Sequence, residues 1–186
     1  EVDWISGSVT VRRAEGDSIE FSEDYQGEEK YRLRYSVENG TLHIQACQSG
    51  TVLNIPKKAL TLSLPDALYQ ELKLSVGSAK LTVSDVRADD LELDSISGDI
   101  ELTIGIPAGR AGKLQKLSLD LSAATASLPA LTLRELELDS VSGSAELEGI
   151  FDSVDANTAS GSVRLTSSSL PREIDADTVS GDVTLT

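Results

Sequence analysis

The sequence predicts an all-β chain, a right-handed parallel β-helix (β-solenoid) of about 18–20 residues per rung. Three observations predict it: a twelve-residue unit recurs along the chain, apolar and polar residues alternate within each unit, and a Ser-Gly pair returns at one phase of the cycle.

The unit reads LKLSVGSAKLTV from Leu72, LELDSISGDIEL from Leu91 and LSLDLSAATASL from Leu117. It continues as LELDSVSGSAEL from Leu136, VDANTASGSVRL from Val154 and IDADTVSGDVTL from Ile174. Position one is always aliphatic (Leu72, Leu91, Leu117, Leu136, Val154, Ile174), position three is Leu or Ala, and position two between them is polar throughout. That is the period-two pattern of a half-buried strand. Positions ten and twelve alternate in the same way, as at Ile100 and Leu102. Each unit is therefore two short strands with inward aliphatics. Stacked at about 4.8 Å, like residues fall on like and form continuous apolar ladders. One rung cannot bury its apolar side alone, but its neighbours complete the core. Hairpin proteins vary their strands, and here the same residue type keeps its phase. Right-handedness follows from the general preference of parallel crossovers.

Between the two strands the apolar parity slips by one, which means a bend. The residues at the bend are Ser97-Gly98, Ser142-Gly143, Ser160-Gly161 and Ser180-Gly181. Glycine there permits either a positive φ or a close approach of neighbouring backbones. Ala79 and Ala124 take the same position in two units, which favours close approach there.

Residues 1–186 read as one domain, with an irregular N-terminal portion or cap over 1–71 and regular repeats over 72–186. VDWISGSVTV at the N-terminus fits the unit with its first residues missing. YRLRYSV and TLHIQAC flank Glu38-Asn39-Gly40, a hairpin signal, and LTLSLP from Leu60 reads as a further strand. The best helical candidate, around Asp66–Leu72, is short and follows Pro65. The one long spacing, residues 103–116 (TIGIPAGRAGKLQK), reads as a protruding basic loop carrying Arg110, Lys113 and Lys116.

Sixteen Lys and Arg against 31 Asp and Glu give a net charge of −15. Nucleic acid and a bare anionic lipid surface are repelled by such a chain. The single cysteine, Cys47, excludes an internal disulfide, and no apolar run is long enough to span a membrane as a helix. The chain begins at Glu1 and ends within a strand-like stretch, which reads as a piece of a longer protein whose membrane anchor lies elsewhere.

The units LELDSISGDIEL, LELDSVSGSAEL and IDADTVSGDVTL, with LTLSLP before them, resemble the bacterial putative-adhesin family, a domain of unknown function rich in SGD-type turns. The resemblance covers roughly residues 50–186 well and the earlier part loosely. The unit from Leu117 departs most, with Ala123-Ala124 in place of Ser-Gly. The resemblance implies a β-helical fold, a bacterial source and an extracellular or cell-envelope location, a cytoplasmic one standing as the alternative. It brings no catalytic residue with it.

Position four collects Asp94, Asp120, Asp139, Asn157 and Asp177 into an acidic ladder. Stacked carboxylates repel, so each has its pKa raised or recruits a cation. Ca²⁺ needs six to eight converging oxygens, and the calcium-binding nonapeptide pattern is absent, so the expected ladder is a solvated face with no metal. The recurring serines read as hydrogen-bonding turn residues, because a nucleophile needs a base, the only histidine is His43, and no G-x-S-x-G elbow occurs. His43 and Cys47, four apart on a strand, lie some 13 Å from one another at about 3.3 Å per residue, too far to share a metal. No catalytic residue, metal or cofactor is assigned.

The function expected is a non-catalytic scaffold or interaction module at the cell surface, binding a protein or glycan of the envelope. One alternative is a polysaccharide-binding or -cleaving β-helix, which needs paired carboxylates and an aromatic-lined groove, whereas residues 72–150 hold no aromatic. The other is a bactofilin-like polymer assembling end to end.

Overall fold

The alternating segments become strands throughout. The computed structural model describes residues 1–50, 54–103 and 114–186. Its strands begin with β1 (Val2–Arg13), β2 (Glu20–Glu23), β3 (Arg34–Glu38), β4 (Thr41–Gln45) and β5 (Lys58–Leu64). They continue with β6 (Leu68–Ser84), β7 (Arg87–Ser95), β8 (Ile100–Thr103), β9 (Leu114–Leu121) and β10 (Thr125–Ser140), then β11 (Ser144–Thr158), β12 (Ser162–Ser167), β13 (Glu173–Thr178) and β14 (Asp182–Leu185). One 3₁₀ turn at Glu29–Tyr31 is the only helical segment among the described residues. The stretch around Asp66–Leu72 is extended from Leu68 onward, because Leu68, Leu72 and Leu74 serve the sheet.

Successive units pair in parallel, column on column. Leu72 lies opposite Leu91, Leu91 opposite Leu117, Leu117 opposite Leu136, Leu136 opposite Val154, and Val154 opposite Ile174. On the other side of the bend Val9, Leu81, Ile100, Ala126, Ala145, Val163 and Val183 form one continuous column. Leu74, Leu93, Leu117, Leu136 and Leu147 are fully buried. Each such side chain contributes about 1.5–3 kcal/mol through burial, which is what holds the register. Positions one, three and five point inward and so do eight, ten and twelve. The step of three between five and eight is the bend, with two outward residues between.

The expected right-handed β-helix of uniform rungs is not what forms. Pairing returns on itself, with β6 on β7, β7 on β9, β9 on β10, β10 on β8 and β8 back on β6. The all-β array is a closed parallel barrel with extra strands rather than a clear solenoid. β6 runs unbroken through the bend, and β10 and β11 run unbroken from one bend to the next, strands of 15–17 residues where separate short strands were expected. Repeated phase states which residues stack and which face inward. It does not state how the sheet closes, because closure depends on pairings between distant segments.

The N-terminal segment is woven into this array. β1 pairs in parallel with β6 from Val2↔Leu74 to Val11↔Val83, which places Ser6 and Gly7 against Ser78 and Ala79. Its other edge carries β4 and β5. Antiparallel additions close this side: β2 pairs β5, and β3 pairs β4 through a two-residue turn. Asn39 and Gly40 in that turn both have positive φ, as a hairpin of this type requires.

Candidate functional site

The bend is built from three hydroxyl and glycine columns. At position seven, Ser142 Oγ donates to the Ser122 carbonyl (2.9 Å), Ser160 Oγ to Val141 (3.1 Å) and Ser180 Oγ to Ala159 (3.1 Å). Ser97 Oγ reaches the Gly77 carbonyl at 3.5 Å. Each serine thus ties its bend to the carbonyl beneath it. None is hydrogen-bonded to histidine. His43 lies on β4, where its Nδ1 is 3.0 Å from a Glu1 carboxylate oxygen.

At position eight the glycines are explained by close approach. A Cβ on Gly98 would overlap the Ala79 carbonyl oxygen, one on Gly161 that of Gly143, and one on Gly181 that of Gly161. Gly143 is packed in the same way on Ala124. None of these four has positive φ, whereas Gly7 does, at +110°.

Position five completes the turn, and sequence reading missed it. Ser95 Oγ donates to the Gly98 carbonyl (2.8 Å) and accepts from the Gly98 N–H (3.0 Å). Ser140 Oγ donates to Gly143 (3.1 Å), while Thr158 Oγ1 accepts from Gly161 N–H (3.0 Å). Thr178 and Gly181 exchange both bonds. Ser95, Ser140 and Thr158 are buried, so these hydroxyls satisfy backbone groups that have no water. The signal was present in the units: Ser or Thr at position five accompanies Gly at eight, whereas Val76 and Leu121 accompany Ala79 and Ala124.

The acidic column lies in register along one outer face. Asp94 is opposite Asp120, Asp120 opposite Asp139, Asp139 opposite Asn157, and Asn157 opposite Asp177. Ser75 Oγ donates to Asp94 Oδ2 at 2.8 Å, and Lys73 Nζ stands 3.9 Å from the same oxygen. Burial holds the Asp120 carboxyl above its ordinary range, and the charges of Asp94 and Asp139 push it further up. Asn157 Nδ2 donates to Asp155 Oδ1 at 3.0 Å. Position two differs: Lys73 pairs with Glu92, and Lys116 pairs with Glu135 (3.2 Å) and Glu137 (2.6 Å).

Between the acidic column and the outward residues of the bend runs a shallow groove of about 610 Å³. Asp120, Asp139 and Asp177 line one wall, and Val141, Ala159 and Val179 line the other. Val141 is 60% and Val179 88% exposed; Ser122, which also lines the groove, precedes Val141 in that column, and Ile96 beyond it is 64% exposed. The expected ladder is thus one side of a groove whose other side is apolar. Among the described residues no cluster of His, Cys, Asp and Glu is arranged to hold a metal ion. Cys47 is buried. No described helix is long and apolar enough to cross a membrane. The basic stretch with Arg110 and Lys113 falls outside the described residues. Lys116, on β9, is paired as above.

A second polar cluster sits inside the N-terminal region. The Lys58 ammonium is enclosed by the Glu23 carboxylate (2.6 Å) and the carbonyls of Tyr31 and Ala46, and it lies 4.6 Å from the centre of the Trp4 ring. Trp4 Nε1 donates to the Lys58 carbonyl (3.1 Å), and the Leu33 N–H donates to the other Glu23 oxygen (2.9 Å). Every partner is satisfied from within the protein, which marks a structural lock rather than an open site.

Two of the solved structures that the chain resembles show the likeness. One is described as "a putative cell adhesion protein" from Clostridium sporogenes, 12% identical, with a TM-score of 0.52 over 99% of this chain and 89% of that one. The other is "a putative adhesin" from Bacteroides fragilis, 14% identical, with a TM-score of 0.53 over 100% of this chain and 90% of that one. At such identities the likeness is one of fold. No curated protein sequence matches the chain. Residues 1–186, the whole of the sequence, match the family described as Toastrack DUF4097, and the chain belongs to that family.

Proposed function

We propose that this chain is a non-catalytic interaction module of the bacterial cell surface or envelope. The observation that carries the reading is the groove beside the bend: an acidic and an apolar wall on a closely stacked sheet, lined by no histidine, cysteine, lysine or arginine. Its serine neighbours spend their hydroxyl protons on backbone carbonyls. A polysaccharide hydrolase needs an aromatic-lined groove besides its paired carboxylates, and no aromatic ring lines this one. The adhesin descriptions of the Clostridium sporogenes and Bacteroides fragilis structures agree with the same reading.

The test is retention of the purified domain on glycan arrays and on immobilised envelope proteins, with the eluates assayed for released product. Saturable retention without product is expected. Product accumulating in proportion to the domain would overturn the proposal.

A further inference from the structure

Resting on the reading of the chain as an interaction module, we propose that the groove between the acidic column and the bend docks a cationic, amphipathic polypeptide segment in which Lys or Arg alternates with aliphatic residues.

The walls set the chemistry. Val141 and Val179 stand exposed on one side in the company of Ala159, while the inward residues of β10 and β11 beside Val141 and Ala159 are buried and β13, beside Val179, is exposed along its length. Contiguous exposed apolar side chains rimmed by polar ones are what a docking surface presents. The opposite wall, only a strand residue or two away, carries Asp120, Asp139 and Asp177, and none of the three has an ion pair with a described residue. The chain itself shows how such a column is neutralised. Where Lys73 and Ser75 precede it, they meet Glu92 and Asp94 directly. Beyond β9 no such lysine follows, so the carboxylates from Asp120 to Asp177 are left facing the groove. A partner cation there would offset the charges of Asp94 and Asp139, which add to burial in raising the Asp120 carboxyl. The apolar wall selects among cationic partners. A glucosamine polymer brings ammonium groups without aliphatic side chains and would ordinarily be met by aromatic rings, of which the groove has none. A polypeptide brings both chemistries at once.

The probe is a fluorescein-labelled Lys-Val-Lys-Val-Lys-Val-Lys peptide, titrated with the full chain and followed by anisotropy. A Lys-Gly peptide of the same length and a chitosan oligomer serve as comparison ligands. Wild type is expected to bind the Lys-Val peptide at least about tenfold more tightly than either. Asp139→Lys/Asp177→Lys is expected to weaken it by at least about tenfold through like-charge juxtaposition, and the milder Asp139→Asn/Asp177→Asn by less. Val141→Ser/Val179→Ser should bring the Lys-Val affinity down to that of Lys-Gly. Glu146→Lys/Glu148→Lys makes the same change in net charge on the far side of the bend and should leave binding unaltered. Equal loss in that control, or equal binding of the Lys-Gly peptide, would reduce the effect to diffuse charge and overturn the groove assignment. Preference for chitosan would replace the polypeptide with a cationic glycan. Absence of Lys-Val binding in a chain still retained on arrays or envelope proteins would sink the groove alone and leave the interaction module standing.

Discussion

Residues 1–64 and residues 72–186 belong to one sheet, yet different forces hold them. In the first region a single buried cluster joins four distant segments. Lys58 meets Glu23, Trp4 and the carbonyls of Tyr31 and Ala46, and antiparallel strands cover it. In the second region no one contact dominates. The same small set of interactions, aliphatic on aliphatic, serine on carbonyl and glycine under carbonyl, recurs in strand after strand. The first arrangement concentrates risk in a few atoms, and the second spreads it along columns. Mutations should therefore be severe and local in one region, and graded by column in the other.

The largest effect is expected at the buried pair. Lys58 and Glu23 side chains are 1% and 7% exposed. Lys58→Met alone should cost about 3–5 kcal/mol in urea unfolding, because it strands the Glu23 carboxylate without water. Combined with Glu23→Leu it should recover most of the loss. A double variant as unstable as the single one would show that packing around Trp4, not the unpaired charge, sets the cost.

Next comes the glycine column. Gly161→Val places methyls where the Gly143 carbonyl already stands, and should lower stability by about 1–3 kcal/mol or more, as overpacking does. Gly16→Ala, which meets nothing within 4 Å, is the matched control and should leave the thermal midpoint almost unchanged. Smaller still is the difference between two serines of one turn. Ser140→Ala removes a buried hydroxyl from the Gly143 carbonyl and should cost about 1–2 kcal/mol. Ser142→Ala, at an exposed position, should cost less than half as much in the same denaturation series.

This contrast also explains what reading the sequence reached. Leu91, Leu117, Leu136 and Val154 announced their stacking because a residue that meets its own kind must keep one phase. Ser97-Gly98 and its counterparts marked the bend for the same reason. The buried cluster had no such announcement: Lys58 is 35 residues from Glu23 and 54 from Trp4, and neither repeats. Closure of the sheet was equally hidden, since the place of β1 between β6 and β5 is a tertiary choice. The groove was half visible. Its acidic wall was read as a column, but Val141 and Val179 were seen only as a slip in alternation. The pairing of Ser95 with Gly98, and of Thr158 with Gly161, was there to be read across the units and was not.

The smallest effect is expected from pH. The Asp120 carboxyl is raised from its ordinary 3.8, chiefly by burial. Between that value and its native one the folded state holds more proton than the unfolded state, so this group makes stability fall as pH rises through the window. Asp120→Asn should remove that slope from urea midpoints measured between about pH 4 and 7, and should not reduce stability at neutral pH. A steeper slope in the variant would reverse the sign assigned to the acidic column.

Register is the claim on which the columns, the bend and the groove all rest. With Cys47 replaced by Ser, two cysteine pairs read it directly: Asp139→Cys/Asn157→Cys, which the strands place opposite one another, and Asp139→Cys/Asp155→Cys, which they set two residues apart. Opposed positions in neighbouring strands fall within the Cα separation a disulfide accepts, and positions offset by two lie beyond about 7 Å. Mild oxidation should close the first pair rapidly and leave the second as free thiols. Preferential closure of the second pair would contradict the register.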